Sequence, residues 1–447
     1  MQKMPNIMRW TLALWLSVIP LVGPASHAAA DTLIENVSVL PMTGFGLQTN
    51  WAVLVEGDRI IAAGPRSEIA VSADVERVDG DGGVLLPGLI DMHIHLHMDR
   101  PPAEIARDLT LYAAFGVTTV RSMWGSDGQL ELRVAVVHEN QFAPSLVLAG
   151  PGFGKTFKSP DELSAMVAQQ TKAGWDLIKV HWKPTAGQFD AIMAAAKSEG
   201  IEASGHVPYA VSLDHALTSG LRTIEHMDGY IRDMGAEGGP ASDAALQDAA
   251  ARTKAAGAAV VPTLFAWRLY LREADMDEVM AMPDLAYVAP AVAEGWKGRY
   301  SESLMTWAKN WAFALIGERD VSAIAANRQR LLRAFADGDV AVLFGTDAGQ
   351  PYVIPGVAAV REMLEMQDAG LTNRQIIASA TAAAGRHLDP SGNLGVIAPG
   401  ARADLILVAK NPLDELQTLS APLGVMLRGQ WHDSTEIARL LSAITVR

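Results

Sequence analysis

The sequence predicts an α/β protein, a (β/α)8 TIM barrel through the middle of the chain with a small β-sandwich domain built from both chain ends. Three observations lead there. Short apolar segments alternate with alanine-rich helical stretches through the middle of the 447 residues. Short β segments divided by Gly and Pro occupy both ends. Ionisable side chains fall repeatedly where the middle segments finish.

Residues 1–30 have the pattern of an export signal: Lys3 and Arg9, the apolar run WTLALWLSVIPLVG, and the small residues PASHAAA before Asp31. That run is shorter than the roughly 20 residues a helix needs to span a bilayer. A chain carried across the inner membrane is therefore expected, resident in a bacterial periplasm and without membrane attachment once the signal is cleaved. Residues 31–85 follow as short strands, TLIENVSVL, WAVLVEGDRIIAAG with a turn at Gly57-Asp58, and VERVDGDGGVLL. Residues 388–447 answer with GNLGVIAPGARADLILVAK and LGVMLRGQW, completing one small β domain.

Between them, residues 86–387 repeat a different rhythm: GLIDMHIHLH, GVTTVRSM, SLVLAG, WDLIKVHW, IEASGHV, LRTIEHM, AAVVPTL and VAVLFGTDAG, separated by helical stretches such as QFDAIMAAAKSEG. Eight strands alternating with helices fit a parallel barrel, and a doubly wound open sheet shares the same alternation. The last gap is long. Residues 264–338 read as a helical insertion carrying Trp267, Tyr270, Trp296, Tyr300, Trp307 and Trp311.

Composition narrows the function. With 36 basic against 50 acidic residues and a formal charge of -14, no basic face for nucleic acid is implied. The absence of cysteine rules out disulfides, a thiol nucleophile and a lipid-modified cysteine.

The chemistry-bearing residues converge. His93 and His95 are two positions apart, so an extended strand projects both from one face. His206, His226 and Asp347 end the fifth, sixth and eighth segments, and Lys179 sits at the end of the fourth, where barrel enzymes keep their chemistry. Lys179 stands out because a charged ammonium inside an apolar strand loses several kcal/mol of hydration unless it is paired, neutralised or chemically changed. A histidine at a strand end, or an aspartate capping a helix, is commonplace alone; the joint set is not a product of packing.

Through LLPGLIDMHIHLH, IKV, GHVP, IEH, GTDAG and GVIAPGARADLILV, nearly the whole mature chain resembles the amidohydrolase superfamily of metal-dependent hydrolases. Within it the resemblance is to the two-metal branch with a carbamylated lysine, prolidase-like and carboxypeptidase-type, alongside imidazolonepropionase-related sequences. It implies that His93, His95 and Asp347 bind one divalent ion, His206 and His226 a second, Zn2+ being the expected metal. It further implies that Lys179 adds CO2 to form a carbamate bridging both. That conversion is chemically sensible, because it turns a group that would repel two cations into an anionic oxygen ligand.

The implied reaction is attack of a metal-bridging hydroxide on the amide of a dipeptide or N-acyl amino acid, with Asp347 as the catalytic proton shuttle. Superfamily deaminases place a glutamate three residues after the fifth-strand histidine; Tyr209 stands there instead, which favours hydrolysis. Tyr230, His181 and Arg268 are candidate substrate contacts, with Lys155 a further cation, His97 on the rim and the aromatic insertion over the mouth. A lactonase, esterase or carbamate hydrolase would use the same metals, and a non-catalytic periplasmic binding protein would retain the barrel without turnover. The expected partner is a small amide substrate, and the resemblance implies a homo-oligomer.

Overall fold

The structure, a computed structural model, describes residues 31–139, 141–153, 158–271, 276–297 and 321–446. The expected export signal, Lys155, Tyr300, Trp307 and Trp311 lie outside the described residues. Among the described residues no helix is long and apolar enough to cross a membrane.

Both chain ends build one eight-stranded mixed sheet. The N-terminal part supplies Thr32–Val39, Gln48–Glu56, Arg59–Pro65, Glu76–Asp79 and Val84–Pro87; the C-terminal part supplies Leu405–Val408, Gly424–Leu427 and Gln430–Asp433. The two parts meet where Val84–Pro87 pairs antiparallel with Leu405–Val408, in register from Leu405↔Pro87 to Val408↔Val84. One face of this sheet buries Val39, Leu85, Leu405 and Leu407 in a core of its own. Alternation of side chains across the pleat sends Leu86, Ile406 and Val408 into the larger core of the middle region.

The middle region holds parallel strands in two sheets. Leu89–Ile94, Val117–Ser122 and Ser145–Leu148 form one, and Leu177–Val180, Glu202–Gly205, Thr223–Glu225, Ala259–Val261 and Ala341–Val342 form the other. Backbone hydrogen bonds pass between the two at both seams. Asp176 N donates to Leu148 O at 3.0 Å and Gly150 N to Leu177 O at 2.9 Å on one side; Met92 N donates to Phe344 O at 2.8 Å on the other. Asp91 reinforces the second seam, accepting from Thr346 N at 3.1 Å and from Thr346 Oγ1 at 2.6 Å.

The intervening helices begin where the sequence caps them. Ser159 and Thr185 each form a capping box, with Glu162 and Gln188 respectively, at the starts of Pro160–Ala173 and Ala186–Glu199. Phe189, Ile192 and Met193 recur at helical spacing on the second of these and are buried. Of the stretch 264–338, the described elements are Leu264–Tyr270, Met276–Met280, a 3-10 turn at Pro283–Tyr287, a helical run at 290–297 and Val321–Asp337. The last packs on Asp243–Ala256 and leads into the eighth strand, so it is that unit's crossover helix and not part of an insert. The final helix, Ser434–Ile444, leaves the mixed sheet to pack on Pro102–Ala114.

Candidate metal centre

Parallel strands that start in register also end together, and the turns at their ends carry the ionisable residues. Asp347, just beyond the eighth strand, donates its backbone N–H to His93 O of the first at 2.7 Å. Asp347, His226 and Thr263 adopt left-handed backbone, with φ of 62, 59 and 48°. Such conformations cost non-glycine residues about 1–3 kcal/mol each and persist where surrounding contacts over-determine them. Gly349 has φ +98°, and a Cβ there would stand 2.2 Å from His95 O, so glycine alone lets this loop press against the histidine strand.

His93, His226 and Asp347 each offer a ligand atom within 4.8 Å of the others, and all three are buried. His95 Nε2 lies 3.0 Å from Asp347 Oδ1. The His206 ring stacks on that of His226 with centroids 5.1 Å apart, and the His93 and His226 rings are 4.5 Å apart. The residues that the resemblance divides between two ions thus form one continuous cluster.

Each imidazole is oriented from behind. His93 Nδ1 donates to Glu225 Oε2 at 2.6 Å, and His206 Nδ1 to Asp228 Oδ2 at 2.5 Å. His226 Nδ1 lies 2.7 Å from Thr263 Oγ1, and His95 Nδ1 3.0 Å from the Gln350 amide. A carboxylate accepting from Nδ1 fixes the tautomer that puts the lone pair on Nε2, the arrangement a metal requires. Burial, reinforced by Lys179, keeps His93 and His206 far below the usual imidazole range, hence neutral. Burial acts to raise Asp347, but the electrostatic pull and hydrogen bond of the adjacent His95 ring, with His226 and His93 behind it, outweigh that and hold the carboxyl well below its ordinary value.

Three buried polar atoms in this cluster have no hydrogen-bond partner: His93 Nε2, Asp347 Oδ1 and Lys179 Nζ. Leaving such atoms unsatisfied costs about 1–3 kcal/mol each, more if charged. Neutral imidazoles, an ionised carboxylate and an unpaired amine fit a borderline divalent cation, which would satisfy all of them together. Burial pushes the Lys179 ammonium down to about 8, so about a tenth of it is the neutral amine at pH 7, far more than for an exposed lysine.

The substrate candidates fare differently. The His181 ring stacks 5.7 Å from His206 and meets Trp124 edge-on at 6.0 Å, beside the cluster. Tyr230 is not brought to it: the residue is wholly buried, its ring packs on Phe335 and its hydroxyl is bonded to Thr253 at 2.6 Å. Arg268 also departs from its expected place, with described ion pairs to Glu365 at 2.9 Å and Glu278 at 3.8 Å. The reason is helical rotation. Tyr270, two residues on and therefore about 200° around the helix, donates its hydroxyl to Asp347 Oδ2 at 2.9 Å.

Arg121, Glu225 and Asp228 had no role in the sequence reading. Arg121 is wholly buried, donating to Met92 O at 2.7 Å and to Glu225 Oε1 at 2.8 Å, so Glu225 links the guanidinium to His93. The available signal was the one that singled out Lys179, a charge inside an apolar strand, here in GVTTVRSM.

Residues 84–432 match the amidohydrolase family model. The chain belongs to the amidohydrolase family. Among this amidohydrolase's similar solved structures is a Xaa-Pro dipeptidase with bound methionine in the active site, at TM-score 0.68 and 21% identity, covering 90% of this chain and 100% of that one. Another is bottromycin amidohydrolase, at TM-score 0.69 and 25% identity over 92% and 89%. An imidazolonepropionase of Streptomyces coelicolor is 36% identical over 116 residues, 23% of this chain and 29% of that protein. The first curated relatives, two deaminases and this imidazolonepropionase, are matched over only 15 to 29% of their length.

Proposed function

We propose that this amidohydrolase is an exported, binuclear metal-dependent hydrolase that cleaves the amide bond of a dipeptide or N-acyl amino acid. The observation that carries the reading is the set of partnerless buried atoms, His93 Nε2, Asp347 Oδ1 and Lys179 Nζ, set among oriented imidazoles. The similarity to a Xaa-Pro dipeptidase and to bottromycin amidohydrolase supports an amide substrate. The seam hydrogen bonds support a closed (β/α)8 barrel, and the separate core of the mixed sheet supports a sandwich-like second domain. Export and periplasmic residence rest on the composition of residues 1–30.

His93, His95, His206, His226 and Asp347 would hold two divalent ions, Zn2+ by ligand chemistry, with Lys179 as its carbamate joining them. Bound metal supplies Lewis acidity, lowering the pKa of water toward about 7 and polarising the scissile carbonyl. The chain does the rest. Tyr270 holds the Asp347 carboxylate through Oδ2, and that carboxylate would accept a proton from the attacking water and return it to the departing amine. Glu225 and Asp228 hold His93 and His206 in the ligating tautomer. Tyr209, three residues beyond His206, has no carboxylate to shuttle protons as a deaminase would.

The test is metal analysis coupled to a panel of dipeptides, N-acyl amino acids, lactones and esters. Chelation is expected to abolish amide hydrolysis and Zn2+ to restore it. Full activity without metal overturns the reading; lactone or ester turnover alone reassigns the substrate; inertness of the metal-replete protein points to a binding function.

A further inference from the structure

Beside the metal cluster lies a cavity of about 700 Å³. Its wall on the metal side includes Tyr270 and Gln350, the residues bonded to Asp347 and His95, so whatever fills it adjoins the reacting bond. Val288, Val292 and Trp296 give it an apolar flank. The opposite side is the helix Pro102–Ala114 and the turn before it, which present Asp99, Arg100, Glu104, Arg107 and Asp108.

These charges are unequally paired. Arg100 hydrogen-bonds Asp108 and lies 3.9 Å from Glu104, so its charge is answered within the wall. Arg107 is not so placed. Its contact with a carboxylate is Nε to Asp108 Oδ1 at 3.7 Å, beyond hydrogen-bond reach, and its Nε is buried without a partner. Among the described residues no acceptor bonds this guanidinium, although it is four-fifths buried, with a side-chain exposure of 19%. A guanidinium presents five donors in a rigid fork matched to a carboxylate, and one that is four-fifths buried with no hydrogen-bonded acceptor gains from a ligand that supplies them. The acidic neighbours Asp99, Glu104 and Asp108 disfavour a second anion, so the cavity suits a single one at Arg107 with an apolar group alongside.

We propose that Arg107 anchors the free carboxylate of the substrate, making the enzyme selective for amides whose amine half is an amino acid with an open carboxyl end and an apolar side chain. This rests on the function proposed above and extends it from a reaction to a specificity. The polarity follows: the acyl half lies on the other side of the metal cluster, and the released amino acid departs through the Arg107 cavity.

The experiment is calorimetric binding of N-acetyl-L-leucine and N-acetyl-L-leucinamide to the full-length protein, the Arg107→Met variant and the Arg107→Lys variant, each with its metal content measured. The expected result is that the wild type prefers the acid to the amide tenfold or more, that Arg107→Met erases the preference, and that Arg107→Lys restores part of it. Equal binding of acid and amide by the wild type overturns the assignment, as does no binding of either, or a preference that survives Arg107→Met. A loss of affinity equal for both probes marks Arg107 as structural and also overturns it. The metal-dependent hydrolysis panel, extended with carboxyl-blocked amides, is scored separately. Turnover of blocked and open amides alike would remove the Arg107 proposal while leaving the hydrolase standing.

Discussion

Lys179 is buried, without a hydrogen-bond partner and held down to about 8 beside the cluster of histidines and Asp347. Lys179→Ala is therefore expected to lower bound metal from two ions per chain toward one or none, with loss of hydrolysis, measured by elemental analysis of the purified variant; two ions retained would exclude a bridging role. Tyr270 makes a different contribution, one hydrogen bond to Asp347, the proposed proton shuttle. Tyr270→Phe is expected to keep the metal and reduce kcat up to about tenfold, the worth of a single hydrogen bond. At this scale the sequence exposed the side chains that the structure brings together, His93, His95, His206, His226 and Asp347, because strand spacing and strand ends are local properties. It did not expose Glu225, which follows its own strand's apolar residues and meets His93 only through the fold, 132 positions away. Tyr230 and Arg268 misled for the complementary reason: proximity in sequence to His226 or to the insertion does not fix which way a helical side chain turns.

The short helix Leu264–Tyr270 carries Tyr270, and a single buried carboxylate holds its start. Glu362 accepts from Leu264 N at 2.8 Å and from Phe265 N at 2.7 Å, while Arg328 packs over the Trp267 ring with 4.3 Å to its centroid. Burial raises the Glu362 carboxyl from 4.5 to about 8, outweighing its hydrogen bonds. Between those two values the folded chain keeps a proton that the unfolded chain has released, so this group's contribution to stability is complete below pH 4.5 and declines as pH rises through about 8. Melting curves of the wild type and Glu362→Gln should then show a stability difference that shrinks from pH 5 to pH 8; a constant difference would count against the protonated carboxyl. Capped helices such as Pro160–Ala173 were legible in advance, since their boxes are written in four consecutive residues. The boundary inside 264–338 was not, because an inserted helix and a crossover helix share one hydrophobic period, and only packing on Asp243–Ala256 separates them.

On the scale of the whole molecule, the proposed metal ligands come from both parallel sheets, His93 and His95 from the three-stranded one and His206 and His226 from the ends of the five-stranded one. An ion bound there ties the sheets together, and at a free concentration about 1,000 times its dissociation constant it adds about 4 kcal/mol. Chelation should thus lower the thermal midpoint by several degrees and Zn2+ should return it; an unmoved midpoint would mean that the cluster does not bind metal in the folded chain. The partition into a β-rich pair of ends and an α/β middle could be seen from composition and period. The seam hydrogen bonds between the sheets could not, because those from Met92 to Phe344 and from Asp347 to His93 join the beginning of the region to its end. That last seam has a temporal consequence. Because Asp347 reaches His93 only when more than half of the chain has been laid down between them, a growing chain has no His93, His226 and Asp347 triad to offer until Asp347 has emerged.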